Sequence, residues 1–208
     1  GVMTMMGLHP CSVDSDDSTQ LKRIGFELFQ GAQKYIAVGE IGIDLYWDKS
    51  FIEQQKAAFR IQINWAKELA LPIVIHARDS ISEILEILDE ENSSKLRGVF
   101  HCFSGAKEEA ERIIAYGGFK FGIGGVVTFK NSTLPVVLKS IPLDHVLLET
   151  DAPYLAPMPY RGKRNESAYL LYIAEKLSDI YECPIEQIKK ATSENAEELF
   201  QLSKFLVT

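Results

Sequence analysis

Short apolar runs alternate along this chain with longer amphipathic segments. Each run is too short for a helix and apolar on both faces, which is typical of strands buried in a parallel sheet. In the longer segments, apolar residues recur at intervals of three and four, as on the buried face of a helix. We therefore predict βα units, with strands at Val2–Leu8, Tyr35–Ile43, Pro72–Ala77, Gly98–Phe103, Phe119–Gly124 and Asp144–Thr150.

Two of the predicted helices begin with the pattern of a capping box. Ser50 stands three residues before Glu53, and Ser80 three residues before Glu83, so a hydroxyl and a carboxylate could satisfy backbone N–H groups at each helix start. After a proline-rich loop, further helices are predicted around residues 166–181, 185–191 and 193–205. No stretch has the composition of a linker, which predicts a single domain over residues 1–208.

Four of the predicted strands end in a residue type that binds divalent metal. These residues are Glu40, His76, His101 and Asp151. Alternating βα units close either as an open doubly wound sheet or as a barrel, and periodicity does not separate the two. In a parallel barrel the carboxyl ends of the strands form one rim, where side chains distant in sequence converge. The pattern favours a TIM (β/α)8-type barrel with these four residues at its rim.

Mixed imidazole and carboxylate ligands suit a divalent ion such as zinc or manganese better than calcium. A single histidine at a strand end is usually structural, but two histidines and two carboxylates at four strand ends together indicate a metal site. A divalent ion lowers the pKa of bound water to about 7, and a pair of ions can hold both oxygens of a phosphodiester displacement. We expect metal-assisted hydrolysis with one or two divalent ions (Mg, Mn or Zn).

Composition and charge limit the partners and the cellular compartment that we expect for this protein. The 208 residues carry a net charge of -7, which disfavours a broad basic surface of the kind that coats a nucleic-acid duplex. The three scattered cysteines do not form a disulfide framework and indicate a reducing compartment, so we expect a cytoplasmic protein. No apolar run is long enough for a membrane span and the start lacks a signal peptide, so we expect no membrane association.

The ordered motifs resemble those of the TatD-type metal-dependent deoxyribonucleases, (β/α)8 barrels of the amidohydrolase superfamily. The matching segments are Gly7–Pro10, Gly39–Asp44, Pro72–Arg78, His101–Gly105, Leu148–Tyr154 and Arg161–Glu166. By this resemblance Glu40 is a carboxylate shared by the metals and His76 and His101 are imidazole ligands. Asp151 binds metal and orients or deprotonates the nucleophilic water, so Glu40 and Asp151 are the catalytic residues. The resemblance also implies a 3′–5′ exonuclease acting on single-stranded ends of DNA, and we expect a monomer.

One departure from the family pattern affects the expected metal site. The family opens with a strand bearing His-x-His, whereas the four histidines of this chain are His9, His76, His101 and His145. The six predicted strands then correspond to strands three through eight. We therefore expect a barrel that lacks its first two βα units, about 60 residues at ~30 per unit, and in which the first metal is weakly held or absent.

Four residues near the predicted rim are candidates for contact with substrate. Arg78 follows His76 and could pair with two phosphate oxygens, although a surface salt bridge is an equal alternative. Arg161 and Asn165 lie in a basic loop after the last strand, where barrels commonly bind phosphate. His9 follows the first predicted strand, so it could support the ligands or contact substrate. The aromatic residues Tyr46, Trp47 and Tyr154 could stack on bases or pack over helices.

Two alternative functions remain open at the level of sequence. The same metal site could cleave an amide, a lactone or an aminoacyl ester instead of a phosphodiester. If the His-x-His strand is absent from the protein, the chain could instead be an inactive pseudo-enzyme that acts as a binding module. The acidic net charge favours either alternative weakly over a nuclease.

Overall fold

A computed structural model describes residues 2–205, which form two compact units. The first unit contains residues 2–100 and 199–205, and the second contains residues 101–198. In each unit the strand pairs are parallel and helices follow the strands. Among the described residues, no helix combines the length and apolar character needed to cross a membrane.

The first unit is built on three parallel strands, β1 (Val38–Asp44), β2 (Ile73–Arg78) and β3 (Gly98–Phe100). Its helices are α1 (Asp17–Gln30), α2 (Ile52–Leu69) and α3 (Ile81–Glu91), with short 3-10 helices at Pro10–Ser12 and Leu202–Lys204. The register pairs Gly42 with His76 and Asp44 with Arg78. It thereby sets side chains from β1 beside side chains from β2.

The predicted strand Val2–Leu8 is reduced to one isolated parallel bridge between Met6 and Val38. The N–H groups of Ile36 and Gly39 donate to the carbonyls of Thr4 and Met6, so the segment is extended but too briefly paired to count as a strand. Of the six predicted strands, the described residues contain five.

Helix α2 holds two neighbouring segments through buried glutamine side chains. The amide of Gln62 accepts from the backbone N–H of Leu8 at 2.6 Å and donates to the carbonyl of the same residue at 3.3 Å. Gln55 does the same for Asp44, at 2.8 and 3.3 Å. These glutamines lie two helical turns apart on one face, so α2 fixes both the approach to His9 and the end of β1.

The second unit contains two parallel strands, β4 (Phe119–Ile123) and β5 (Val146–Leu148). Its helices are α4 (Lys107–Ala115), α5 (Leu134–Leu138), α6 (Leu170–Tyr181) and most of α7 (Ile185–Phe200), with 3-10 helices at Gly125–Thr128, Leu143–His145 and Ser167–Tyr169. The predicted break at 192 is wrong. The hydroxyl of Thr192 donates to the carbonyl of Ile188 within the helix, so α7 continues through it.

Both predicted capping boxes are wrong. Helix α2 starts after Phe51, not after Ser50, and it has no side-chain cap. Ser80 does precede α3, but its hydroxyl donates to the carbonyl of Ile43 at 2.6 Å and accepts from the N–H of Arg78 at 3.1 Å. Its oxygen is therefore committed to the strand ends and not to the helix start.

Candidate metal centre

The first unit brings together three side chains that we call the first ligand group: His9, Glu40 and His76. One potential ligand atom from each lies within 4.8 Å of the others. Glu40 Oε2 is 3.7 Å from His9 Nε2 and 3.9 Å from His76 Nδ1. The two imidazole rings meet edge to face, with centroids 4.4 Å apart. The sequence predicted Glu40 and His76 as ligands and His9 as a supporting or substrate-contacting residue.

Glu40 lies inside β1 and does not end it. The strand continues to Asp44, and its pairing with β2 is irregular between Val38 and Ile41. Close packing between the two strands requires glycine at position 42, where φ is +140° and a Cβ would collide with the carbonyl of His76. The predicted strand end at Glu40 is therefore wrong, and Asp44 is the acidic residue at the end of β1.

Asp44 orients His76. His76 Nε2 lies 2.9 Å from Asp44 Oδ2, and Asp44 is 2% exposed. Burial alone would raise the pKa of Asp44, but hydrogen bonds from His76, the backbone of Tyr46 and Cys11 more than offset it and hold the pKa below its ordinary value. An ionised carboxylate only accepts, so Nε2 of His76 donates. Nδ1 then carries the lone pair on the side of Glu40, as a metal ligand requires.

His9 has the opposite arrangement. Its Nδ1 accepts a hydrogen bond from the backbone N–H of Cys11 at 3.2 Å. In neutral imidazole one nitrogen accepts and the other donates, so the proton is on Nε2, which faces Glu40. This geometry favours His9 as a hydrogen-bond donor to Glu40 or to substrate over His9 as a metal ligand.

The second unit brings together a second ligand group: His101, Cys102 and Asp151, again with one potential ligand atom from each within 4.8 Å of the others. His101 Nε2 lies 3.4 Å from Asp151 Oδ1. Burial raises the pKa of the Cys102 thiol to about 12. A protonated thiol is a poor metal ligand, so His101 and Asp151 are the stronger donors in this group.

Glu149 supports the second ligand group as Asp44 supports the first. Its Oε2 lies 3.0 Å from His101 Nδ1, and its Oε1 accepts from the backbone N–H of Cys102. Gly122 on β4 leaves room for this carboxylate, because a Cβ there would collide with Glu149 Oε2. Burial lowers the pKa of His101, but hydrogen bonds with Asp151, Cys102 and Glu149 outweigh burial and raise it far above its ordinary value.

The loop that carries Asp151 is held by Asn165. Asp151 and Cys102 have φ values of 58° and 46°, in a region that side chains other than glycine rarely adopt. The buried Asn165 amide donates to the carbonyls of Thr150 and Tyr154, and its Oδ1 accepts from Glu166 N–H. These bonds replace the predicted substrate contact of Asn165 with a positioning role, since its polar atoms are already committed to protein partners.

The two predicted phosphate-binding arginines are exposed and lie over aromatic rings. The Arg78 Cζ is 3.7 Å from the centroid of Tyr46, and that of Arg161 is 4.5 Å from the centroid of Phe129. Ring contacts of this kind orient a guanidinium while leaving its N–H groups at the edge available to an anion. Contact with substrate stays a prediction for both residues.

The sequence predicts that Glu40, His76, His101 and Asp151 lie together at one rim, and the structure places Glu40 with His76 in the first ligand group and His101 with Asp151 in the second. The meeting of all four residues at one rim stays a prediction. Asp44 and Glu149 were missed, although both belong to the motifs that were recognised. The available signal was a second carboxylate four residues after Glu40 and another two residues before Asp151.

The donors in both groups fit a divalent metal ion. Each predicted histidine ligand has one ring nitrogen hydrogen-bonded to a carboxylate and the other directed to an acidic side chain. Metal-bound histidines in proteins usually show this arrangement, which fixes the tautomer and the ring orientation. His76 with Glu40 and His101 with Asp151 would therefore hold such an ion.

Comparison with known proteins agrees with this chemistry. Residues 1–201 match the family model described as TatD related DNase. The uncharacterized metal-dependent hydrolase YabD of Bacillus subtilis (strain 168) is 42% identical to the chain, over 97% of the chain and 78% of the relative. The uncharacterized metal-dependent hydrolase YcfH of Escherichia coli (strain K12) is 34% identical, over 97% of the chain and 74% of the relative.

Solved structures show the same similarity in three dimensions. The crystal structure of YjjV, a TatD homolog from Escherichia coli K12, matches with a TM-score of 0.89 and 30% identity, over 96% of this chain and 76% of that one. A TatD family hydrolase from Entamoeba histolytica matches in fold with a TM-score of 0.79 and 24% identity, over 95% and 74% of the two chains. These matches confirm the predicted α/β fold of TIM-barrel type.

Proposed function

We propose a function from the premise that this chain belongs to the TatD-related DNase family. The protein is a metal-dependent hydrolase of that family. The bond that it cleaves is our proposal: a phosphodiester at the 3′ end of single-stranded DNA, hydrolysed with one or two divalent ions (Mg, Mn or Zn). The observation that supports this most strongly is the pair of histidines held by Asp44 and Glu149, with the second nitrogen of each ring facing Glu40 or Asp151.

As part of this proposal, we assign a role in hydrolysis to individual residues of each ligand group. A bound divalent ion would lower the pKa of water and polarise a phosphoryl oxygen. Asp151 orients the attacking water and accepts its proton, and Glu40 holds negative charge beside His76. Arg78 and Arg161 offer guanidinium groups to phosphate oxygens. The water oxygen bonds to phosphorus, the bond from phosphorus to the 3′ oxygen of the penultimate nucleotide breaks, and that oxygen takes up a proton.

The proposal is tested by release of nucleotides from a labelled single-stranded oligonucleotide in the presence of Mn²⁺ or Mg²⁺. We expect 5′-mononucleotides from the 3′ end. Asp151→Asn should reduce the rate by about 10²–10⁴-fold, the range for removing a general base. Asp179→Asn is the matched control, because Asp179 is an exposed carboxylate on α6 outside the ligand group and its loss should leave the rate unchanged.

A second function is favoured by the net charge of -7, which suits a small substrate better than a polyanion. The same metal-loaded protein should therefore be assayed in parallel on carboxylic ester, lactone and amide substrates. Metal-dependent cleavage of one of these, abolished by Asp151→Asn and without release of nucleotides, would overturn the nuclease proposal. Absence of cleavage on every substrate would favour a binding module.

A further inference from the structure

Two exposed aromatic side chains lie two and three residues beyond the end of β1. Tyr46 is 53% exposed and Trp47 is 72% exposed. Their rings meet edge to face, with centroids 4.8 Å apart and an interplanar angle of 89°. A large aromatic side chain that packs over a helix would lose most of its exposure, so the structure does not favour the packing alternative for Trp47. Its indole is a rigid apolar surface open to solvent.

The guanidinium of Arg78 lies over this aromatic pair. Its Cζ is 3.7 Å from the centroid of Tyr46 and 5.4 Å from the centroid of Trp47. The guanidinium makes its closer cation–π contact with Tyr46. The indole of Trp47 is the more exposed of the two rings and is therefore the one more accessible to a ligand. A planar group stacked on Trp47 would therefore lie near this cation.

The backbone at Leu45 and Tyr46 is hydrogen-bonded to the ends of β1 and β2, next to the first ligand group. Leu45 N–H donates to the carbonyl of Arg78 at 2.9 Å, and Tyr46 N–H donates to Asp44 Oδ1 at 3.0 Å. Asp44 is the carboxylate that orients His76. The aromatic pair is thus preorganised beside the candidate ligands, which lowers the entropic cost of binding a ligand there.

A cavity of about 400 Å³ adjoins the indole and has an acidic lining. Trp47 and Phe51 contribute aromatic surface, and Asp14 and Asp48 contribute carboxylates. Carboxylates repel phosphate but accept hydrogen bonds from the amino groups of nucleobases. A nucleotide is therefore expected to turn its base to Trp47 and the cavity, and its phosphate to Arg78.

We propose that Trp47 and Arg78 form a nucleotide-binding subsite for single-stranded DNA, in which one base stacks on the indole and its phosphate pairs with the guanidinium. This inference rests on the proposed nuclease function and adds the place where the strand is held. The ligand is single-stranded because a base in a duplex is already stacked on both faces. Base stacking on aromatic side chains of this kind tolerates any sequence.

The test measures binding to the metal-loaded full chain by tryptophan emission, with a phosphorothioate-linked single-stranded oligonucleotide as a probe that resists cleavage. We expect saturable quenching, and much less with a blunt duplex of the same sequence. Trp47→Phe should retain affinity, because a phenyl ring still stacks on a base. The quenching should be lost, because the second tryptophan, Trp65, packs against a different set of residues and would not contact the probe. Those residues are Leu8, Val13, Leu21 and Ala58. Trp47→Ala, followed by anisotropy of a labelled probe, should weaken binding about 5- to 150-fold.

Arg78→Ala should also weaken binding, and Arg78→Lys should restore only part of the loss because an ammonium cannot reproduce the guanidinium fork. The controls are Phe26→Ala and Arg23→Ala, which remove an exposed aromatic ring and an exposed cation on α1. Both should bind the probe like the unchanged protein. Unchanged affinity in Trp47→Ala, or an equal loss in the Phe26→Ala control, would overturn the subsite.

Failure of this inference and failure of the proposed function give different results. Release of nucleotides with unchanged affinity and KM in Trp47→Ala would leave the nuclease standing and remove the subsite. Saturable quenching that depends on Trp47 and Arg78, without release of nucleotides from an unmodified strand, would support the subsite and overturn the nuclease.

Discussion

Asp44 and Glu149 determine which nitrogen of each histidine faces an acidic partner. Without Asp44, His76 could rotate or change tautomer, and the lone pair of Nδ1 would no longer be fixed beside Glu40. Glu149 has the same effect on His101 through Nδ1, leaving Nε2 toward Asp151. Such carboxylates act on a metal through the ligand that they orient, so their removal should change metal affinity before it changes stability.

We expect Asp44→Asn to weaken Mn²⁺ binding about 10- to 100-fold, the usual effect of losing such a partner. The measurement is a competition titration against a metal-sensitive dye. Asp179→Asn is the matched control, since Asp179 is an exposed carboxylate on α6 and should leave the affinity unchanged. If Asp44→Asn binds Mn²⁺ like the control, Asp44 does not position a ligand.

Tyr181, which lies outside both ligand groups, allows a test of how burial of a phenol affects stability at high pH. Its hydroxyl donates to the carbonyl of Ile141 at 2.9 Å, and burial, assisted by the charges of Cys183 and Asp144, raises its pKa well above the ordinary value of 10.0. The folded state therefore keeps this proton at a pH where the unfolded chain releases it. The contribution of Tyr181 to stability is complete below pH 10 and is lost as the pH rises through the folded pKa.

Tyr181→Phe should lower the free energy of unfolding at neutral pH by about 0.5–1.5 kcal/mol, the net value of one hydrogen bond. Above pH 10 the difference from the unchanged protein should shrink, because the variant has no phenol to ionise at this site. Urea unfolding at a series of pH values measures both effects. Tyr154→Phe, at an exposed position, should follow the unchanged protein throughout, and a constant difference for Tyr181→Phe would contradict the assignment.

Single residues stand out in the sequence where residue type alone carries the signal. Glu40, His76, His101 and Asp151 stood out because charged or imidazole groups rarely follow buried strands without a partner. Asp44 and Glu149 were missed because their partners depend on register: Gly42 pairs with His76, which sets Asp44 beside the ring. The commitment of Asn165 to two backbone carbonyls likewise depends on the path of a loop, which local sequence does not encode.

At the scale of elements, α2 does more than cover one face of the strands. Its buried surface includes Ala58, Phe59, Ile63 and Ala66, which supply apolar contact. Gln55 and Gln62 interrupt that surface with amides that each satisfy both backbone groups of a neighbouring residue. The helix therefore fixes Asp44 and Leu8, and through Leu8 the position of His9.

Replacing Gln62 by alanine should leave the N–H and carbonyl of Leu8 buried without partners. We expect a loss of about 1–3 kcal/mol in the free energy of unfolding, the cost of an unsatisfied buried polar group. Urea unfolding gives the value. Asn64→Ala on the same helix is the control, because Asn64 is exposed and surface substitutions usually stay within about 0.5 kcal/mol. Equal losses in the two variants would show that the hydrogen bonds of Gln62 to the Leu8 backbone do not stabilise the fold.

Elements were predicted where apolar periodicity was strong and mispredicted where a polar side chain had two possible partners. Ser80 matched a capping box, yet its hydroxyl bonds to Ile43 and Arg78 because the ends of β1 and β2 lie within its reach. Val2–Leu8 is apolar enough for a strand, but a single bridge at Met6 is all that pairs it among the described residues. Tertiary contacts determine both the partners of Ser80 and the pairing of Val2–Leu8, and the periodicity of apolar residues carries no information about those contacts.

At the scale of the whole molecule, charge constrains how DNA could be held. With 22 basic and 29 acidic residues, the protein repels a polyanion at long range, so binding must come from a few local contacts. Arg78 and Arg161 are the exposed cations proposed for phosphate, each placed over an aromatic ring. The binding affinity should accordingly depend only weakly on salt concentration, unlike that of proteins with broad basic faces.

The salt dependence of binding gives that expectation a value. Each phosphate neutralised on a single strand contributes about -0.7 to the slope of log K against log salt, so two contacts predict a slope of about -1.4. Fluorescence anisotropy of a labelled phosphorothioate strand, measured over a series of KCl concentrations, gives the slope for the metal-loaded protein. Arg78→Ala should make the slope shallower by about 0.7, and the Arg23→Ala control should not change it. A slope several times steeper would mean that many more cations contact the strand than the two arginines, and would refute a local mode of binding.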